Sequence, residues 1–310
     1  MADFRFDTEC PCPCESGELI KNCCLRPKGI LRPKPCVTKP AAPKTGVKNP
    51  RCYAGELADC SNKISREHYF SHGVLKAMGE NSSVEIAGLP WQPDGERKRL
   101  PTSNLVGNIL CERHNNALSP LDAIAIRFFN SFDRVDREFA VQSSERKDRV
   151  FLFNGHDVER WMLKTLCGVV FSGNASSRQN AIRGWKPNIL WLKILFGNVQ
   201  FPNKWGMYFV GKIGDTCVID RKLLFAPISN DSLGVYGAII EVKTKRFILA
   251  MASPQHHPDS ILARSIYRPI ELVMKDGRSE KIVMLGWEIK GDGKGVVIVY
   301  QRTDQKRRTG

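Results

Sequence analysis

The chain reads as an α+β protein, and three observations predict it. Most of its eleven cysteines fall in short-spaced clusters before residue 112. Apolar residues then recur at three- and four-residue steps from Leu121 to Phe139, the period of a helix with one buried face. From Met207 onward the pattern changes to runs rich in β-branched and aromatic residues, separated by turn signals. The expected order is a small N-terminal metal module at 1–25, a basic Pro-rich linker at 26–50 and a second metal-stapled unit at 51–145. A C-terminal unit of helices and antiparallel sheet at 146–304 and a basic tail at 305–310 complete it.

Residues 10–24 read Cys-Pro-Cys12-Pro-Cys14-Glu-Ser-Gly-Glu-Leu-Ile-Lys-Asn-Cys23-Cys24. Four thiolates at this spacing make a closed tetrahedral zinc site with no open position for chemistry. A module this small buries too little to stabilise itself, so the metal would supply its folding energy. The run resembles the SEC-C zinc motif, with Pro13, Ser16, Gly17 and Lys21 in place and Glu15 where the motif has Gly. The resemblance implies that Cys12, Cys14, Cys23 and Cys24 hold one zinc and that the module recruits a protein partner. Cys10 is either a spare or an alternate ligand.

Between residues 25 and 51 lie eight Lys or Arg, six Pro and no acid. Proline this dense prevents helix and favours an extended path. The segment reads as a linker that is either a soluble spacer or a run of phosphate contacts. Cys36 within it has no evident partner in the sequence.

Cys52 with Cys60, and Cys111 with His114, form a second set of soft ligands in two pairs, the second with the common C-x-x-H spacing. Glu67-His68 lies between the pairs and Asn115-Asn116 follows the last ligand. Over residues 52–116 this arrangement resembles the HNH (ββα-metal, or His-Me finger) nucleases, in the subgroup stapled by a structural zinc. The resemblance implies His68 as the general base that activates water, at the end of a strand. It implies Glu67 and Asn115 as holders of one Mg²⁺ or Mn²⁺ against the scissile phosphate, and Asn108 or Asn104 as the Asn that orients the loop. Ser71 stands where the family carries Pro. A hard cation, oxygen ligands and a nearby imidazole suffice for metal-assisted phosphodiester hydrolysis.

His72 follows His68 by four residues and reads as a supporting or surface residue. The stretch 79–103, with its glycines, prolines and Glu96-Arg-Lys-Arg99, reads as a loop with a basic tip. Ser119-Pro120 with Asp122 reads as the start of the long helix. A second helix is expected from Asp157 as N-cap, burying Val158, Trp161, Met162, Leu166 and Val169, with Cys167 as a small buried apolar residue. A third runs from Asn188 through Ile189 to Phe196. Strands are expected at Tyr208–Lys212, Val235–Val242, Arg246–Met251, Ile270–Met274, Lys281–Glu288 and Gly295–Gln301, in one five- or six-stranded sheet. Short connections make the neighbours antiparallel. His256-His257 lies in a loop, and an adjacent pair points in different directions.

A net charge of +15, from 47 basic and 32 acidic residues, favours polyanionic partners, nucleic acid first, and the nuclease resemblance implies DNA before RNA. No apolar run is long enough to span a bilayer, and Ile189 to Phe196 is interrupted by Lys193. The first residues do not read as a secretory leader, so metal-like cysteine clusters imply a reducing cytoplasm. Two functions of different class follow: a metal-dependent HNH-type endonuclease, or a non-catalytic zinc adaptor that binds nucleic acid or a ribonucleoprotein.

Overall fold

A computed structural model describes residues 7–78, 83–87, 92, 96–140, 148–177, 180–210, 222–242, 245–257, 262–277 and 279–300. The tail at 305–310 lies outside the described residues. The N-terminal elements are α1 (Ile20–Cys23), β1 (Leu25–Arg26) and β2 (Ile30–Leu31). Next come β3 (Ile64–His68), α2 (His72–Met78), β4 (Ser83–Ala87), β5 (Lys98–Pro101), β6 (Val106–Cys111) and α3 (Glu112–Ala140). The central stretch holds β7 (Arg149–Asn154), α4 (Gly155–Phe171), β8 (Ser176–Ser177), β9 (Asn180–Ala181) and α5 (Ile189–Leu195). The remainder is strand: β10 (Gly206–Val210), β11 (Lys222–Asn230), β12 (Gly234–Val242), β13 (Lys245–Ala250), β14 (Ser265–Tyr267), β15 (Glu271–Lys275), β16 (Glu280–Gly286) and β17 (Gly295–Val299).

The expected single sheet is two. A seven-stranded sheet runs β14-β10-β13-β12-β11-β4-β5 and a four-stranded one runs β17-β15-β16-β7. The hairpins β12–β13 and β15–β16 are antiparallel as short turns require. The Lys290-Gly-Asp-Gly turn does not make β16 and β17 neighbours: β17 pairs with β15, in parallel. Its loop is held across β15 by backbone bonds from Asp292 N to Tyr267 O and from Ile270 N to Lys294 O. The segment read as a loop with a basic tip, or an exposed hairpin, contains a hairpin pair, with β4 antiparallel to β5 and parallel to β11. β5 is therefore the outer strand of the larger sheet, and its Lys98 and Arg99 are exposed.

The long helix starts at Glu112, well before Ser119, and keeps Pro120 inside it. Pro120 has no N–H for the carbonyl of Asn116 one turn back. The Ser119 hydroxyl donates to that carbonyl at 2.9 Å instead, so the helix passes through. α4 starts before Asp157: Asn154 is the N-cap and its side chain accepts from His156 N. α5 has its expected cap, with the Asn188 side chain accepting from Trp191 N.

α4 is buried from Gly155 to Val170, so it is the central rod of the molecule rather than a surface helix. Val158, Trp161, Met162, Leu166 and Val169 all face into the core as expected, and Cys167 is buried with them. Phe128, Phe129 and Phe132 of α3 pack against Trp161 and Phe247. Each such ring or aliphatic side chain withdrawn from water stabilises the fold by about 1.5–3 kcal/mol. Gly73 lets α2 approach α3 closely, since a Cβ there would lie 2.4 Å from Ile126 Cδ1.

The Pro-rich segment is extended and docked. Asn154 Nδ2 donates to Pro33 O, Asp157 accepts from Cys36 N, and Arg160 donates to Cys36 O and Thr38 Oγ1. Further on, Arg113 donates to Ala41 O and Pro43 O. Cys36 thus has partners through its backbone. Among the described residues, no helix is long and apolar enough to cross a membrane.

Candidate metal centres and the Glu67 cluster

Two groups of side chains can hold zinc. In the first, the ligand atoms of Cys12, Cys14, Cys23 and Cys24 lie within 4.8 Å of one another. Cys14 and Cys23 are 3.4 Å apart and Cys23 and Cys24 3.5 Å. Four ligands about 2.3 Å from a zinc stand about 3.8 Å from one another, so the spacing fits a tetrahedral ion. Burial works against a thiolate at Cys14, but hydrogen bonds from Ser16, Cys12, Cys23 and Cys24 outweigh it and bring that thiol down to about 7. Cys10 is exposed and stands outside the four. Glu15 has φ +59°, the left-handed region that favours glycine. The module sits on the body of the protein: Leu152 N donates to Pro13 O at 3.0 Å, and Arg127 donates to Cys14 O.

The second group is Cys52, Cys60, Cys111 and His114, all buried. His114 Nδ1 lies 3.5, 3.7 and 3.3 Å from the sulfurs of Cys52, Cys60 and Cys111. The wide gap between Cys52 and Cys60 is spanned by a turn of 3-10 helix at Gly55–Leu57. Cys111 ends β6 and His114 lies in the first turn of α3, so strand and helix meet at the cluster. A hydrogen bond from Cys52, then one from His114, holds the Cys111 thiol far below its usual range. Packed thiols of this kind favour a soft divalent cation.

β3 pairs antiparallel with β6, and β6 runs directly into α3. His68 is the last residue of β3, as expected. Alternation along the strand turns Glu67 inward, where it is 9% exposed, and leaves His68 half-buried. Asn115, in the first turn of α3, stands near enough to the Glu67 carboxylate to favour its charged form. Burial, then the charges of His72 and Arg66, lowers the His68 imidazole from its ordinary value, which favours the neutral ring. Its ring stacks on that of exposed His72, with centroids 4.7 Å apart.

Asn108 and Asn104 are not drawn into this cluster; both are exposed, Asn108 beside the register shift between Ser65 and Glu67. Three groups that sequence reasoning missed are. Lys164 of α4 reaches Glu67 Oε1 at 2.6 Å and Asp122 Oδ2 at 2.5 Å. Ser71 Oγ donates to Asp122 Oδ1 at 2.5 Å and accepts from Trp161 Nε1 at 2.7 Å. Ser71 is therefore a connector between helices. The signal for Lys164 was a lone charge within the apolar run Trp161-Met-Leu-Lys-Thr-Leu-Cys167. Burial pushes Glu67 above the usual carboxylate range, with Lys164 pulling the other way. Lys164 is held above its ordinary value by Asp122 and Glu67, which outweigh the effect of burial.

His256 is exposed and His257 buried, so that pair does point apart. Compared with known proteins, the chain matches no family model, no curated protein and no solved structure.

Proposed function

We propose that this protein is an HNH-type endonuclease that hydrolyses phosphodiester bonds of DNA, with structural zinc at its two cysteine clusters. The observation that supports it is the run β3–β6–α3, stapled at Cys52, Cys60, Cys111 and His114, with His68 at the strand end and Asn115 on Glu67. In this reading neutral His68 takes a proton from the attacking water. Exposed Arg66 on β3, and Arg97, Lys98 and Arg99 at β5, offer positive charge to the sugar-phosphate backbone. The Cys12 cluster is the recruitment module, binding a protein partner.

The Mg²⁺ or Mn²⁺ that the resemblance implies at Glu67 and Asn115 does not fit the residues as they stand. Glu67 Oε1 already carries the Lys164 ammonium.

That same ion pair favours a second reading, a zinc adaptor that binds nucleic acid or a ribonucleoprotein without cleaving it. Nicking of supercoiled plasmid separates the two, using zinc-loaded protein with and without Mg²⁺ or Mn²⁺, beside His68→Ala. Cleavage by the wild type and not by the variant supports the endonuclease. Two inert proteins that still shift DNA at low salt leave the adaptor as the better reading.

A further inference from the structure

We propose that Lys164 is the resident cation of the Glu67 cluster, a side-chain ammonium standing in place of a divalent metal ion. The inference concerns what occupies the cluster and stands whether or not the protein cleaves nucleic acid.

Lys164 lies midway along α4 with its side chain 5% exposed, and Nζ sits between two carboxylates from different elements: Glu67 on β3 and Asp122 on α3. The acids are held from their other sides. Asn115 stands near Glu67 and favours its charged form, and Ser71, fixed by the Trp161 indole, donates to Asp122. An ammonium ion withdrawn from water is costly unless it is paired and hydrogen-bonded. This one has two charged acceptors at 2.5 and 2.6 Å, contacts as short as charge-assisted bonds become.

A hard divalent ion competes for the same oxygens. Mg²⁺ and Mn²⁺ want close to six oxygens, and keep several waters when proteins supply few. Buried Glu67 has its Oε1 in contact with an ammonium that cannot diffuse away, because its stem is fixed in the central helix. The cluster therefore has the donors of a cation site and a permanent occupant. Lys164→Met keeps the length and apolar bulk of the stem, removes the charge, and leaves the Glu67 and Asp122 carboxylates without their shared cation.

The test is titration of Mn²⁺ into the zinc-loaded full chain, read as loss of the free-ion EPR signal. Wild type is expected to show no saturable site below about 1 mM. Folded Lys164→Met is expected to bind one Mn²⁺ at least about tenfold tighter than wild type, and the double variant Lys164→Met/Glu67→Gln to lose that site. Saturable wild-type binding that Glu67→Gln abolishes would overturn the proposal, as would a folded Lys164→Met that binds no better than wild type. If Lys164→Met does not fold in buffer, recovery of its circular dichroism on adding Mn²⁺ supports the exchange of one cation for another. A variant that Mn²⁺ does not rescue counts against it.

Discussion

Glu159 and Arg268 face each other with both side chains fully buried, joined by Nε to Oε1 at 2.8 Å and Nη2 to Oε2 at 3.1 Å. The pair ties the central helix to the end of β14 across more than a hundred residues of chain. His156 Nδ1 lies 3.0 Å from Glu159 Oε2, and Met207 N donates to Oε1 at 2.8 Å. Nearly all the capacity of this carboxylate is used, which is what makes its burial tolerable.

Removing one partner leaves the other as an uncompensated buried charge. Arg268→Met is therefore expected to cost about 3–5 kcal/mol in urea unfolding, more than truncation of an exposed pair. Burial alone would raise the Glu159 carboxyl, but the hydrogen bond from His156 and the charge of Arg268 outweigh it and hold it below 4.5. Between the folded and unfolded values the unfolded chain binds more protons, so stability rises with pH through that window. The contribution is present above pH 4.5 and lost as pH falls through the folded value. Glu159→Gln should flatten the acid limb of stability against pH, and an unchanged limb would contradict this account.

Gly206 has φ +119°, and a Cβ there would lie 2.1 Å from Glu159 Oε1. Gly206→Ala combines backbone strain with displacement of the buried carboxylate. A loss of more than about 2 kcal/mol is expected, measured by the same unfolding titration.

The two cysteine clusters should be separable by metal analysis. Cys12→Ser and Cys52→Ser are each expected to lower the bound zinc by one ion per chain. The Cys52 cluster belongs to the main hydrophobic core, whereas the Cys12 cluster packs on Leu152 and Met284 at its margin. Thermal unfolding should therefore show the larger loss for Cys52→Ser, and equal losses would argue against the difference in burial.

His68 is half-buried and rests against an exposed ring, so His68→Ala should change stability by less than about 1 kcal/mol. Zinc content should stay the same while any nicking is lost. Nicking that survives the substitution removes His68 as the base.

Replacing Arg66 should weaken DNA binding about equally across sequences and reduce the salt slope by about 1. A change confined to one sequence would mean base recognition instead of backbone contact.

Much of this architecture was readable because its signals are local. The cysteine spacings gave both four-ligand groups, and the steps from Leu121 to Phe139 gave the buried face of α3. The Asn188 cap and the apolar run after it gave α5. What was hidden depends on distant partners. β7, Arg149–Asn154, runs into a helix without a turn, and its pairing partner β16 lies far along the chain. β11 contains Pro227, a residue that local rules disfavour within a strand. Lys164 carries no motif; its meaning comes from Glu67 and Asp122, which only the packed fold brings to it.

The parallel pairing of β4 with β11 has a consequence for anyone dividing this chain. A fragment beginning after residue 145 would keep β11 but lose β4 and β5, baring the peptide groups of Lys222–Leu224 that β4 covers. Such an edge is a template for strands of other molecules. Fragments cut at that point should self-associate, whereas the whole chain ends its sheet on a short strand guarded by Lys98 and Arg99.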